Sequence, residues 1–488
     1  MKNLKLIFLL LFSLGTVVSC SKDEDDIGPS APGAGEDNLV VQDFIYRTLN
    51  DIYLYKDDVP KLANNYFASE ADKNAFLDDY TPAALFDYLT PSKDRFSWLI
   101  DDYIELENML SGISTTPGME YGWGAYPGDP NKIFGVVRYV LPNTSAETNG
   151  VKRGMIFTTV NGVQITRDNY SSILNPANIT LGFGKVENGS IVNTNETISL
   201  TNSVYTENPV YLAKTLNIDG KKIGYLMYNA FTADFDSQLN AAFAEFKSQN
   251  LDEFILDLRY NGGGNIETSS DLASMITGQF TGKVYAKKRY NTDYQNFYEA
   301  NIPEGLLSRF NTKVFSGETI NSLNLNKLYV IATGSSASAS ELIINGLRAY
   351  INVIHVGTQT VGKFQGSTPR YDSPNFERDH NRLNTTHTYA MLPLILTTVN
   401  ANGEGEYIDG LTPDIEAIEY INEMLPLGDP DEPLLQAALD DIFNISRSME
   451  RKNLLDIQFI SESGAKRIDY QKMYLIEDLP SIPVKENR

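Results

Sequence analysis

At 488 residues the chain exceeds what one hydrophobic core of ordinary size accounts for, so several domains are expected. Composition is globular, 42% hydrophobic, 11% aromatic and 21% charged, and a net charge of −23 leaves no evident basic surface to neutralise phosphates, which argues against a nucleic-acid partner. One cysteine in the whole chain excludes an intramolecular disulfide and a thiolate metal cluster.

Residues 1–19 open with Met1-Lys2-Asn3-Leu4-Lys5 and continue LIFLLLFSLGTVV, two positive charges ahead of an apolar stretch too short to span a bilayer comfortably. The stretch ends Val17-Val18-Ser19-Cys20, which resembles a bacterial lipobox; that resemblance implies acylation of Cys20 and removal of the leader before it. An ordinary signal peptide with an incidental cysteine is the plainer alternative. Residues 20–38, SKDEDD followed by IGPSAPGAGED, cannot bury a core and read as an acidic Gly/Pro tether. An acidic run after such a cysteine resembles the export signals of Bacteroidetes-type lipoproteins. The expected location is therefore the cell envelope, with a lipid anchor in the outer membrane and the body either periplasmic or surface-exposed.

Over residues 39–112 the pattern is helical. Val41, Phe44, Ile45, Leu49 and Ile52 recur at three- and four-residue spacing, and short helices are expected to continue to about residue 111, with a break at Thr90-Pro91. Residues 113–208 change texture to short strands separated by Gly, Pro and Asn. Within them Pro142, Ser145, Ala146, Gly150, Val151 and Gly154, then Val160-Asn161-Gly162, resemble the central helix and following strand of a PDZ domain. A helix capped near Ser145, ended by Gly150, with a turn at Gly154, is what that spacing predicts. By the same resemblance Tyr121-Gly122-Trp123-Gly124 stands where a carboxylate-binding loop would converge its amides on a peptide end; a glycine-rich hairpin without a ligand is the bland reading.

Residues 209–445 alternate strands and helices. KIGYLMYNAF, EFILDLRYNGGGN, KLYVIATG and NVIHVGTQTVGK read as strands, DSQLNAAFAEFKSQ, SASELIINGLRAY and DEPLLQAALDDIFN as helices. Residues 446–488 read as a polar C-terminal tail. The fold class expected is α+β and multidomain: a helical N-terminal domain, a PDZ-like β-rich domain and an α/β core.

The chemistry starts from what is scarce. Of three histidines, His355 lies in the core-strand pattern Val-Ile-His-Val-Gly and reads as packed, while His380 and His387 sit in polar, loop-like sequence. No metal-ligand spacing occurs, so no zinc hydrolase and no cofactor is expected. Gly357 to Lys363, GTQTVGK, has the outline of a phosphate-binding loop, but Phe364 stands where a Mg²⁺-ligating Ser or Thr is needed and FQGSTPRYDSP does not open a helix. That lysine needs another explanation.

Gly334-Ser335-Ser336-Ala337-Ser338-Ala339-Ser340-Glu341 places small residues at a strand-to-helix junction, where a serine oxygen and helix N-terminal amides can meet a carbonyl group. Such runs are more often loops or caps. A serine nucleophile needs a base, and lysine serves when its pKa falls from ~10.4 by about three units through burial, at roughly 4 kcal/mol. Lys363 follows an apolar strand and is flanked by Gly362 and Phe364, with no neighbouring acid.

Ser-Ala-Ser-Ala-Ser-Glu followed by Val-Gly-Lys resembles the carboxyl-terminal processing (tail-specific) serine protease family, whose core is of ClpP/crotonase-like type. The resemblance spans about residues 40–445 and implies Ser338 as nucleophile and Lys363 as base. Asp257-Leu258-Arg259-Tyr260-Asn261-Gly262-Gly263-Gly264 resembles the family's Asp-Leu-Arg-x-Asn-Pro-Gly-Gly turn, with Gly262 in place of proline, which implies an oxyanion hole from the amides of Gly263 and Ala339. Gly410-Leu411-Thr412-Pro413-Asp414 resembles a further family segment. Two positions depart from it: Phe364 replaces a glycine, and Ser367 stands where many members have a lysine-orienting glutamine. If the stretch is extended, Lys363, Gln365 and Ser367 share one side, and Gln365 is favoured for that job by its reach.

The leading expectation is an envelope-anchored serine endopeptidase with a Ser-Lys dyad, cleaving unfolded or C-terminally exposed polypeptides. The strand Tyr225 to Phe231, Tyr228 included, is expected to pair with extended substrate. An activating partner or an oligomer is compatible with it. A catalytically silent peptide-binding lipoprotein on the same scaffold is the alternative, with Phe364 its best support, and a nucleotide-binding protein is the remote third.

Overall fold

The computed structural model describes residues 39–379, 381–445, 457, 459–466, 470–476, 479–480 and 482. The leader, Cys20, the acidic tether and His380 lie outside them. Among the described residues no helix is long and apolar enough to cross a membrane.

The central sheet has six strands in the order Val210–Ile218, Lys221–Tyr228, Glu253–Asp257, Lys327–Ala332, Asn352–Gly357 and Ile415–Glu416; the first pair is antiparallel and the rest parallel. Strand alternation sends side chains to two covered faces. Leu226, Tyr228, Leu256 and Val330 pack under helices Asp236–Gln249, Ile266–Thr277 and Ala339–Arg348. Tyr225, Met227, Ile255 and Ile331 pack with Leu434, Leu435 and Leu439 of helix Pro433–Ile442. Both faces are apolar, so these strands read as continuous hydrophobic runs in the sequence.

A second six-stranded sheet has no counterpart in the sequence reading. Its order is Gly264–Asn265, Met473–Tyr474, Gln365–Ser367, Leu394–Asn400, Val284–Tyr290, Leu307–Arg309. Four of these strands are two or three residues long, too short to carry a periodic signal. One of them belongs to the stretch expected to be a polar tail.

Residues 119–201 form a mainly antiparallel sheet of strands Met119–Tyr126, Asp129–Val140, Ile156–Val160, Asn178–Glu187 and Ser190–Thr201, with Phe459–Glu462 on its edge. The short helix Ser145–Thr148 is capped by Thr144, and Gly150 and Gly154 both take positive φ, 80° and 82°. Tyr121 to Gly124 are inside strand Met119–Tyr126 rather than in a loop, which corrects the expectation of a converging amide nest there. Their strand already has neighbours on both sides: Gly122 pairs with Val136 and with Glu462, and Trp123 with Gly135 and Ser461.

The N-terminal helix Val40–Ile52 buries Phe44, Ile45, Leu49 and Ile52, as its periodicity predicts. Helices Glu70–Leu77 and Pro82–Leu89 pack beside it, with Ser69 and Thr81 capping them. Trp98–Ile100, expected to be helical, is a strand paired with Ala390–Leu392, and Met391 and Leu394 enter the helical cluster. The N-terminal region is thereby seated on the α/β core, close to the lysine strand.

Candidate active site

Strand Lys327–Ala332 runs through a turn into helix Ala339–Arg348, and Ser338 is the residue at the join. Its backbone is at φ 66°, ψ −116°, a region few residues with a Cβ occupy. The neighbouring serines are each committed to a hydrogen bond: Ser335 Oγ to Glu462 at 2.7 Å, Ser336 Oγ to the carbonyl of Leu258 at 2.7 Å, and Ser340 Oγ to the carbonyl of Asn261 at 2.9 Å. Ser338 Oγ is buried and has no hydrogen-bond partner among the described residues. Of the four serines in the run, Ser338 alone has a side-chain oxygen without a hydrogen-bond partner among the described residues.

Lys363 is fully buried, and its Nζ likewise has no hydrogen-bond partner among the described residues. Burial lowers its pKa to about 7, against the weaker opposing pull of the Asp94 and Glu341 carboxylates. The wall that desolvates it comes from the N-terminal region: Nζ stands 4.9 Å from the centre of the Phe96 ring. Asp94 shapes that wall, accepting from the amides of Phe96 and Ser97 at 2.9 and 2.8 Å and from the Tyr53 hydroxyl at 2.6 Å.

Glu341 ties the two halves together. Its Oε2 accepts from the amide of Ser338 at 2.7 Å and the amide of Lys363 at 2.9 Å, while Oε1 accepts from the amide of Gly362 at 2.7 Å and the Thr360 hydroxyl at 2.5 Å. Burial raises its pKa, and these four donors pull against that rise. Ser338 and Glu341 are arranged as a capping box, in which the carboxylate half is a hydrogen bond of 2.7 Å while Ser338 Oγ, on the other half, has no hydrogen-bond partner among the described residues. The sequence reading quoted Glu341 but gave it no role; serine followed by glutamate three residues on was the available signal.

Gly263 lies against Ser338. It takes φ 110°, and a Cβ there would come within 2.6 Å of Ser338 Cβ. Its amide donates to Asn261 Oδ1 at 2.8 Å, and Asn261 Nδ2 in turn holds the carbonyl of Tyr228 at 2.8 Å. Ala339 contributes the first amide of the helix. Tyr228 is buried, but its strand is flanked by Val210–Ile218 on one side and Glu253–Asp257 on the other. Past the strand end, the amide of Phe231 donates to the carbonyl of Gly263 at 2.9 Å and its carbonyl accepts from the amide of Asn265 at 2.7 Å. The expected pairing of Tyr225–Phe231 with substrate is therefore corrected: that strand is interior and has no free edge.

Strand Gln365–Ser367 begins two residues after Lys363, and a register shift between Gly366 and Ser367 breaks the alternation on which a shared face depended. Gln365 Nε2 donates to the Tyr55 hydroxyl at 3.3 Å, and Gln365 Oε1 and Ser367 Oγ are both buried without a partner among the described residues. Neither bonds Lys363 Nζ here. Phe364 packs on Tyr407, and its carbonyl accepts from Thr398. Gly362 is a glycine because φ is 88° and a Cβ would meet the Ile408 carbonyl oxygen at 2.2 Å. The phosphate-loop outline of GTQTVGK thus has a steric origin.

The remaining candidates fall elsewhere. His355 is buried in strand Asn352–Gly357, its pKa lowered by burial, with Nε2 3.2 Å from the carbonyl oxygen of Ala332. His387 Nε2 sits 3.0 Å from Asp372. Among the described residues no cluster of His, Cys, Asp and Glu is placed to hold a metal ion.

A buried, unbonded serine oxygen at a helix start, a desolvated lysine amine and a carboxylate that accepts from both backbones are thus gathered in one part of the α/β core. The models of peptidase family S41 and of its N-terminal domain match residues 222–417 and 40–98, together more than half of the chain. The chain belongs to peptidase family S41, and by family it is a serine-type peptidase. It is 28% identical over 167 residues to a carboxyl-terminal-processing protease of Picosynechococcus, covering 34% of this chain and 35% of that relative. It is 23% identical over 334 residues to a CtpA-like serine protease of Staphylococcus aureus, 68% of this chain and 58% of that relative. The matches thus span between a third and three fifths of those relatives' lengths. The structure of an S41 protease from Bacteroides fragilis superposes with a TM-score of 0.65 at 26% identity, covering 83% of this chain and 97% of that one.

Proposed function

We propose that this chain is a serine endopeptidase in which Ser338 is the nucleophile and Lys363 the general base. The observation that carries the reading is that Ser338 Oγ and Lys363 Nζ are both buried and unbonded, on backbones fastened to one Glu341 carboxylate, with the lysine pKa at about 7. Near neutral pH a substantial fraction of Lys363 is the free amine. It takes the Ser338 proton as Oγ bonds to the scissile carbonyl carbon, and it returns that proton to the leaving amine as the C–N bond breaks. A water that gives its proton to Lys363 then releases the acyl group and regenerates the serine. The oxyanion meets the Ala339 amide at the helix N-terminus and the Gly263 amide, which shares its hydrogen with Asn261 Oδ1. Gln365, whose Oε1 has no hydrogen-bond partner among the described residues, is the residue that would steady the amine in this reading.

In this reading the core is of ClpP/crotonase-like type and residues 113–208 are a PDZ-like unit. Substrates are polypeptides presented in extended form, unfolded or with exposed C-termini. Cys20 is the lipid attachment point and the body works in the cell envelope. The test is degradation of casein by residues 38–488, in chelator and without nucleotide, beside Ser338→Ala and Lys363→Ala. Cleavage by the unmodified chain and loss in both variants is expected. Activity that survives Lys363→Ala removes the lysine base, and a Ser338 that never acylates with a fluorophosphonate leaves a peptide-binding protein.

A further inference from the structure

The last strand of the second sheet is formed by the chain's own C-terminal segment. Met473–Tyr474 adds in parallel between Gly264–Asn265 and Ser367, pairing Gly264 with Met473 and Tyr474 with both Asn265 and Ser367. The amide of Leu475 donates to the carbonyl of Ser367 at 2.9 Å, and the Thr368 hydroxyl donates to the carbonyl of Leu475 at 3.1 Å. The two strands that receive the segment carry the Gly263 turn and the stretch that follows Lys363. The point a Cβ on Gly263 would occupy is 2.6 Å from Ser338 Cβ and 2.8 Å from the carbonyl oxygen of Lys472. A peptide carbonyl of the tail therefore stands beside the nucleophile.

Lys472 is buried, and its Nζ donates to the carbonyl of Phe96 at 2.5 Å and lies 4.6 Å from the centre of the Trp98 ring. The pocket pairs a carbonyl with an aromatic face, a fit for an ammonium group. Phe96 is also the residue whose ring covers Lys363. Upstream, Phe459–Glu462 lies antiparallel on strand Met119–Tyr126, Arg138 pairs with Glu462, and a Cβ on Gly122 would come within 2.7 Å of the Phe459 ring. The tail thus covers one edge of the β-rich sheet and the groove at the catalytic serine, each by the strand addition with which proteins bind extended peptides. While it is in place, Ser338 and Lys363 are 0% exposed.

We propose that the groove between Gly264–Asn265 and Gln365–Ser367 is a binding site for an extended peptide carrying a lysine, and that residues 470–475 are its resident occupant, closing the site until displaced. The proposal rests on the peptidase reading for its meaning, though not for its test. A tethered segment competes at high effective concentration, so releasing it should admit peptide added in solution.

The test uses the full chain carrying Ser338→Ala, so that nothing is cleaved, and a fluorescein-labelled peptide YQKMYLI, the sequence of residues 470–476. Fluorescence polarisation gives its Kd for Ser338→Ala alone and with the tail loosened by Lys472→Ala or, separately, by Tyr474→Pro; thermal unfolding checks that each variant is folded. At least tenfold tighter binding to both loosened chains is expected, and at least fivefold weaker binding of the peptide with alanine in place of its lysine. Equal affinity for all three chains overturns the resident occupant, and indifference to the peptide's lysine overturns the pocket. Casein cleavage does not enter these measurements. Inert protein that passes them sinks the peptidase reading alone, and active protein that fails them sinks the occupant alone.

Discussion

Arg259 and Lys363 are both fully buried cations in one α/β core, and their surroundings treat them in opposite ways. Arg259 is saturated. Its Nε lies 3.0 Å from both oxygens of Asp257, and its Nη atoms reach Glu432 at 2.5 and 2.9 Å and Glu419 at 2.8 Å. Burial alone would raise the Glu419 pKa, but Arg153 and Arg259 hold it down to about 2. Arg153 and Tyr260 join the same network, so it links the β-rich sheet, the Gly263 turn and the helix Pro433–Ile442. The Lys363 amine has no hydrogen-bond partner among the described residues, and burial has pushed its proton toward release. A satisfied buried charge holds its shape and keeps its protonation state, whereas an unsatisfied one is available to react.

That contrast can be broken at several points. The largest effect is expected from Ser338→Ala or Lys363→Met, each lowering kcat/KM for a peptide substrate by roughly 10⁴–10⁶-fold. Stability separates Lys363→Met from an ordinary lesion. Lys363 has a folded pKa of about 7, below the ~10.4 of an unfolded lysine, so between those values the unfolded chain binds the extra proton. Stability of the parent should climb with pH across that window. The methionine variant should lack that climb and be more stable at pH 7 by up to about 4 kcal/mol, as read by denaturant unfolding. In the parent kcat/KM should climb through pH about 7 and level off above it, as the amine is freed.

Arg259→Met should do the reverse, leaving Asp257 and Glu432 buried without their cation. A loss of about 3–5 kcal/mol is expected in the same unfolding experiment, enough to leave little soluble protein. Glu341→Gln falls between the two regions, since an amide cannot accept the donors that meet both carboxylate oxygens. It should lower kcat by roughly 10²-fold and stability by about 1–3 kcal/mol, with KM nearly unchanged. The smallest effect belongs to Gln365→Ala, a drop in kcat within about tenfold. A larger one, with the pH profile displaced, would make that amide the lysine's main support.

The four inner strands of the central sheet were legible because they are largely buried on both faces and each is followed by a helix or a turn with its own signal. Ser338 and Lys363 were legible as candidates from local pattern, small residues at a helix start and apolar flanks around a lone cation, and only the family resemblance paired them. What lay beyond the sequence is long-range. Asp94 and Phe96 shape the lysine pocket from some 270 positions away, and nothing in DRFSW announces it. Gln365 and Ser367 were placed on one face by assuming an unbroken strand, and a bulge has no signature of its own at that length. Tyr121–Gly124 was misread because its glycines suggest a turn, whereas Gly122 and Gly124 make room for the rings of Phe459 and Phe134. Nothing in the sequence shows that the strand Tyr225–Phe231 is interior, because a sequence carries no strand order.

Ser338 holds a backbone conformation that costs a residue with a Cβ about 1–3 kcal/mol, and glycine would adopt it without that cost. Together with the uncompensated lysine, the proposed catalytic pair subtracts from a folding margin that is itself about 5–15 kcal/mol. Wherever selection for cleavage lapses in a lineage, these two positions are the first expected to drift, because replacing them is downhill in folding free energy. Silent descendants of such a scaffold should therefore be sturdier than their active ancestors.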